Sequence, residues 1–462
     1  MNTNDVNHPP VVNPPHNAGA VPPVETAQVG VRPVENEKIL GKPVFWINSG
    51  PLNIKSGFGH KRLCDYLTVT AGTACAYGCE YCYAESTTTN QQAVRDILTQ
   101  NGKQFNEVVI RRNNAVQHLV QDLTRNKKKN ENIQTAEELL TPELIETWGL
   151  KDQWSLQDRV AKYRGPEWEG KVIYASPLVD VAPTKELASE TVEMCDAILR
   201  LTPFHIRLLS KSPILEDVAK QLAARFPDPQ LGAKARVIFG LSTGTLDDKV
   251  AAAIERHAPS PSARIKALHR LQDNGFRTYG MLCPILPQKD AAAYKQFAQA
   301  AMKAIRADKC EEIWAEAVNF RAGGKEPAKN PDDQRQRDSF EATLQALVTG
   351  GFQEEADMFE LVATDSQAWE QYTRTLFEAL VEAVPQQTIP NLILGPKVKA
   401  ERPNKLWWLQ YPQNYASITD YWVNQEVNGA VLLGAVVTRY RKPKKQKIAV
   451  AAAPQLNAEA AG

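Results

Sequence analysis

Cys75-Ala-Tyr-Gly-Cys79-Glu-Tyr-Cys82 follows a strand-like run, Asp65-Tyr-Leu-Thr-Val-Thr70, and sets three thiols at C-x3-C-x2-C spacing. Three cysteines on one tight loop suit three corners of a cubane [4Fe–4S] cluster and leave the fourth iron without a protein ligand. An open position on a low-potential cluster is a place to bind and reduce a small molecule. The competing reading is a structural zinc site completed by the upstream His60. Structural zinc sites usually take two C-x2-C-like pairs separated by a longer loop. Here the three are bunched, and Cys64, Cys195, Cys283 and Cys310 are scattered singly. Seven cysteines in 462 residues do not make a secreted disulfide framework.

With an aromatic residue, Tyr81, before its third cysteine, the loop resembles the signature of the radical S-adenosylmethionine (SAM) superfamily. The continuation Cys82-Tyr83-Ala84 is most similar to the spore photoproduct lyase branch and to the related DNA repair photolyase-like proteins. That similarity runs from Asp65 to about Pro287. It implies a [4Fe–4S] cluster on Cys75, Cys79 and Cys82, with SAM on the open iron.

The rest of the chain bounds this reading. A formal net charge of +1 gives no global basic field of the kind that nucleic-acid binders often carry. No run of 18 apolar residues and no secretory pattern is present, so a soluble, cytoplasmic protein without a membrane partner is expected. Residues 1–40 are rich in Pro, Asn and Val, lack any helical or strand period, and read as a disordered arm. Residues 441–462 read as a disordered tail, and 331–440 as a C-terminal extension of α-rich or mixed character.

Between the tails, apolar runs alternate with helical stretches. Strands are expected at Tyr66–Thr70, Val172–Ala175, His205–Leu209, Val237–Leu241, Thr278–Leu282 and Ile313–Ala317. Helices are expected at Glu186–Leu201, Ile214–Arg225, Ala263–Asn274 and Ala291–Ala307. This repetition argues for an α/β fold of parallel βα units. Six units, taken with the radical SAM resemblance, imply a partial (β/α)6 TIM-like barrel over residues 41–330. The cysteine loop would then lie at the C-terminal mouth, where barrel active sites form. The gap between Cys82 and the second strand is too long for one crossover helix. Its part at about 120–170 is charged, carries the helix start Thr141-Pro142-Glu143, and reads as an inserted helical lid or partner surface, or equally as a solvated excursion.

The second, third and fourth expected strands end in polar groups: Ala175-Ser176, Ser210-Lys211-Ser212 and Ser242-Thr243. Alone, a serine at a strand end is ordinarily a turn or a helix cap. The resemblance implies that Ser176, Lys211 and Ser242 bind SAM, with Lys211 pairing its carboxylate, and that Tyr83 orders the site. Glu255 and Arg264 match a further signature of the branch, or form an ion pair that fixes their loop. Spore photoproduct lyase relatives place a hydrogen-donating cysteine two residues before the strand-two serine, where this chain has Tyr174. Tyr174 and Cys283 are therefore the two candidate hydrogen donors.

The chemistry implied is reductive cleavage of SAM to a 5′-deoxyadenosyl radical that abstracts hydrogen from a substrate, with electrons from a reductase such as flavodoxin or ferredoxin. Fold and cofactor do not determine substrate. Nucleic acid, by repair or base modification, is the first expectation. Cations and aromatics interleaved from Arg402 to Tyr411 and at Tyr415 suit stacked bases, or equally a domain core with a charged rim. A radical SAM enzyme on a peptide or small metabolite, and a non-catalytic metal-binding protein, are the alternatives.

Overall fold

The computed structural model describes residues 37–59, 63–89, 91–151, 155–175, 177–318 and 331–384, with four short strands beyond them, the longest Leu406–Gln410. His60 and Ser176 lie outside the described residues, as do the tail 441–462 and the side chains of the Arg402–Tyr415 stretch.

Six strands run parallel in one sheet: β1 (Leu67–Val69), β2 (Val172–Ala175), β3 (His205–Ser210), β4 (Val237–Ser242), β5 (Arg277–Ile285) and β6 (Ile313–Ala317). They lie side by side in chain order, with Ile206 opposite Val237 and Gly280 opposite Ile313. Leu406–Gln410 adds a further parallel strand beside β6, so part of the expected C-terminal extension continues the main sheet. The class is mixed α/β. Among the described residues no helix is long and apolar enough to cross a membrane.

These strands read as nearly unbroken apolar runs because both faces of a parallel sheet are buried. Successive residues alternate between the faces. One face sends Ile173, Ile206, Leu208, Phe239, Leu241 and Leu282 into a large core shared with the helices. Those helices are α1 (Lys185–Leu201), α2 (Leu215–Arg225), α3 (Pro261–Asp273) and α4 (Ala291–Ala304), each within a few residues of its expected span. Thr184, Ser260 and Asp290 accept backbone N–H groups at the starts of α1, α3 and α4 and set where those helices begin. The other face gathers Val172, Tyr174, Ile238, Tyr279, Met281 and Trp314 over Leu63 and Cys64. Arg207 is buried there, its guanidinium 4.4 Å from the Trp314 ring centre and 3.2 Å from Glu312.

Two expectations are corrected. Residues 38 and 39, placed in the expected arm 1–40, form a strand instead: Lys38–Ile39 pairs antiparallel with Lys42–Pro43. The strand Lys42–Ile47 then pairs with Val109–Arg112, which also pairs with Gly72–Ala74, in a second sheet. The expected lid at about 120–170 holds two short helices, Ala136–Leu139 and Pro142–Thr147, closed by a ribbon of Thr124–Asn126 with Arg159–Ala161. Ala136, Ile145, Trp148 and Leu150 enter the main core, and Trp148 Nε1 donates to Glu193 Oε2 of α1 at 2.9 Å. The segment buttresses α1; it is tied into the core by the same burial that a lid would lack.

C-terminal to β6, three helices follow: α5 (Pro331–Thr349), α6 (Gln353–Thr364) and α7 (Ser366–Ala383). The last is fastened to the sheet by two aromatic side chains. Trp369 Nε1 donates to Val318 O at 3.1 Å, while the Tyr372 hydroxyl accepts from Val318 N at 2.8 Å and donates to Ile285 O.

Candidate functional site at the strand ends

The cysteine loop runs across the C-terminal ends of the parallel strands. Just past β2, Asp180 N donates to Cys75 Sγ at 3.4 Å. Past β3, Lys211 Nζ lies 3.7 Å from Cys79 Sγ and donates to the Tyr81 hydroxyl at 2.7 Å. Past β4, Glu80 N donates to Ile254 O at 3.0 Å. From the other side, Ser339 Oγ of α5 donates to Glu80 O at 2.9 Å. The loop can turn this tightly because Gly78 adopts φ +61°, a conformation costly for a residue with a side chain.

Asp180 holds the junction together. Its buried carboxylate accepts from Ser210 Oγ and Lys211 N at 2.6 Å each, and from Ala182 N at 2.9 Å. Burial raises its pKa above the ordinary carboxylate value, and those three donors partly oppose the rise. The sequence reading passed over this residue. Its only signal was an acidic side chain in an otherwise apolar stretch after β2.

Behind the loop, Lys211, Tyr81, Glu255 and Arg264 form one buried charged network. Lys211 Nζ is 3.0 Å from Glu255 Oε1; the Tyr81 hydroxyl and Arg264 Nη2 also donate to the Glu255 carboxylate. Burial alone would lift the Glu255 carboxyl, yet Lys211 and Arg264 hold it down to about 2. Burial opposes the Lys211 charge, but Cys79, Glu255 and Tyr81 outweigh it and keep that ammonium well above its usual value. The Glu255–Arg264 ion pair is therefore present, and Lys211 joins it.

As bare thiols the three cysteines are held protonated. Burial pushes Cys75 up to about 11 and Cys79 up to about 12, and it raises Cys82 as well. Thiolates at this position need positive charge brought to them. Among the described residues no three His, Cys, Asp or Glu side chains converge on one ion position.

The other expected site residues gather beside the loop. The Tyr83 hydroxyl donates to Pro177 O, and its half-exposed ring lies 6.3 Å from that of Phe58. Phe58 in turn lies 5.7 Å from the buried ring of Tyr174. Burial pushes the Tyr174 phenol well above its usual value, and Tyr279, Tyr83 and Cys283 add to the rise. Cys283 Sγ donates to Glu316 Oε2 at 3.0 Å, and Ser242 Oγ donates to Cys283 O at 3.3 Å. Arg264 Nη1 donates to Ser242 O at 3.0 Å, which links this group back to the charged network. Thus Tyr83, Tyr174, Lys211, Ser242, Cys283 and the three cysteines share one end of the sheet. Lys42, which the sequence reading missed, reaches the same loop from the second sheet; burial lowers its pKa, while Cys75, Cys79 and Glu80 oppose the drop. Nothing in the sequence near Cys75 signals it.

No family model matches this chain, and no curated protein matches it. Among solved structures it is similar to a cysteine-to-serine mutant of spore photoproduct lyase, at 15% identity and a TM-score of 0.39, over 67% of this chain and 72% of that one. It is also similar to spore photoproduct lyase complexed with dinucleoside spore photoproduct, at 14% identity and a TM-score of 0.38, over 67% and 72% of the two chains. A mutant with bound AdoMet and dinucleoside spore photoproduct matches at 13% identity and a TM-score of 0.34, over 60% and 61%. At these values the likeness assigns neither family nor activity, and the functional reading rests on the site.

Proposed function

We propose that this protein is a radical SAM enzyme, with its six parallel strands as the partial (β/α)6 barrel of that class. The observation that carries the reading is the cysteine loop itself, laid over the C-terminal ends of β2, β3 and β4 and touching Asp180 and Lys211. In a cubane each thiolate binds a different iron, so three cysteines need not converge on one point. The donor set fits such a cluster: three bunched thiols, Cys79 buried and Cys75 and Cys82 half-buried, with cationic neighbours and no second cysteine pair.

A [4Fe–4S] cluster with SAM bound would supply reductive cleavage of a sulfonium S–C bond by one electron from a flavodoxin- or ferredoxin-type donor, giving methionine and a carbon radical able to take hydrogen from substrate. Cys75, Cys79 and Cys82 would hold the cluster. Lys211 and Ser242 would orient SAM, and Tyr83 would close one side. Asp180 keeps Lys211 in place through its backbone N–H. Tyr174, Phe58 and Met281 exclude water from the inner face, the main service a protein renders to a reactive radical. Cys283, whose thiol donates to the Glu316 carboxylate, would be the hydrogen donor.

The test is anaerobic reconstitution with iron and sulfide, dithionite reduction, and chromatography for 5′-deoxyadenosine from added SAM, beside a Cys79→Ala control. Product that vanishes in the control supports the reading. A fully loaded, reduced protein that leaves SAM intact with nucleic acids and peptides present supports a structural metal instead. Nucleic acid is the favoured substrate class, and the net charge of +1 supports a peptide or small metabolite as the second. Salt separates them: binding to a nucleic acid weakens steeply as salt rises.

A further inference from the structure

Lys42 opens the strand Lys42–Ile47 of the second sheet, far in sequence from the cysteine loop. It is 8% exposed, and its ammonium is buried without a hydrogen-bond partner among the described residues. The amine is pressed against the cysteine loop: a methyl group on Gly78 would stand 2.1 Å from Lys42 Nζ. The groups that would draw this ammonium, once ionised, are Cys75, Cys79 and Glu80. Glu80 is already engaged, paired with Arg256 and accepting from Asn106 Nδ2 at 3.3 Å. The sulfurs are left as the natural partner of the Lys42 charge. A buried, unpartnered ammonium is costly, and such groups persist where a partner completes them.

We propose that Lys42 is a positioning cation for the iron–sulfur cluster of the preceding reading, donating to one of its sulfurs and making the cluster easier to reduce. The inference rests on that reading. A cluster's potential is set by net charge, hydrogen bonds to its sulfurs and solvent exposure. A fixed positive charge beside it favours the form that carries the extra electron.

The experiment compares wild type, Lys42→Met and Lys42→Arg after anaerobic reconstitution. Iron and acid-labile sulfide are counted, and reduction is followed by paramagnetic resonance against potential. Lys42→Met is expected to fill as wild type does, with its one-electron reduction constant lowered about tenfold, a midpoint about 59 mV more negative. Lys42→Arg is expected to stay closer to wild type. A folded Lys42→Met that does not fill, beside a Lys42→Arg that does, also supports the role of the charge. An equal midpoint in filled wild type and Lys42→Met overturns the proposal, as does equal loss of filling in both variants, which makes Lys42 a structural residue. A wild type that shows no paramagnetic cluster and takes up zinc instead overturns the iron–sulfur reading, and this proposal with it.

Discussion

Lys211 Nζ lies 3.0 Å from Glu255 Oε1 with both side chains largely withdrawn from water. The two residues come from the ends of different βα units, and their contact brings a charge-neutralising network up to Cys79. Glu255 serves Arg264 and Tyr81 as well, so it is the hub of the group. Removing a hub leaves several buried groups unsatisfied, whereas removing one spoke leaves the others paired.

Glu255→Gln is accordingly expected to destabilise the protein by about 3–5 kcal/mol, because two buried cations lose their counter-charge. Lys211→Met is expected to cost about 1–3 kcal/mol, since Arg264 still pairs with Glu255. Urea midpoints of the two variants, compared with wild type in the same metal state, check the order. A Lys211→Met loss as large as that of Glu255→Gln would place the hub elsewhere.

Cys283 and Cys79 should separate cleanly. Cys283→Ala is expected to keep the full iron content and to form 5′-deoxyadenosine within about threefold of wild type, a change of less than about 1 kcal/mol in barrier. Cys79→Ala is expected to lose both. Iron analysis and chromatography give the two readouts, and iron lost from Cys283→Ala would make that thiol a fourth ligand.

His205 gives the fold an acid-sensitive point. Burial, joined by the charges of Arg277, Arg236 and Arg207, holds its imidazole down to about 3, from an ordinary 6.5. Arg277 Nη1 donates to its Nδ1 at 2.8 Å, which requires the neutral ring. The unfolded chain therefore binds more protons in this window. The contribution to stability is fully present above pH 6.5 and is lost as pH falls toward 3. Between pH 7.5 and pH 5 the loss should be about 2 kcal/mol. His205→Gln is expected to remove that slope, read as the difference between urea midpoints at the two pH values.

Tyr372→Phe tests the fastening of the C-terminal helices. The variant keeps the ring but leaves Val318 N and Ile285 O without their buried partner. A loss of about 1–3 kcal/mol is expected in urea unfolding. A neutral result would mean that ring packing against Tyr294, not the hydroxyl, holds α7 to the sheet.

Much of the main sheet was legible in the sequence. All six parallel strands carry runs buried on both faces, so apolar stretches such as Val237-Ile-Phe-Gly-Leu betrayed them. Strand ends were legible for the same reason: Ser210-Lys211 and Ser242-Thr243 interrupt the apolar runs where the sheet stops. Cys75, Cys79 and Cys82 could be grouped because their spacing is local.

What the sequence alone determined was therefore the inventory and its local order: which residues can carry charge, hold a metal or fill a core, and roughly where the strands of the main sheet lie. The tertiary structure decided which of them meet. Lys42 reaches the cysteine loop because Lys42–Ile47 pairs with Val109–Arg112, a contact across more than 60 positions. Asp180 and Lys211 share a hydrogen bond because β2 and β3 lie in adjacent register. The expected lid became a buttress because Trp148 and Leu150 found an apolar surface on α1. Long-range pairing depends on the summed burial of whole elements, and no local pattern of residues encodes that sum.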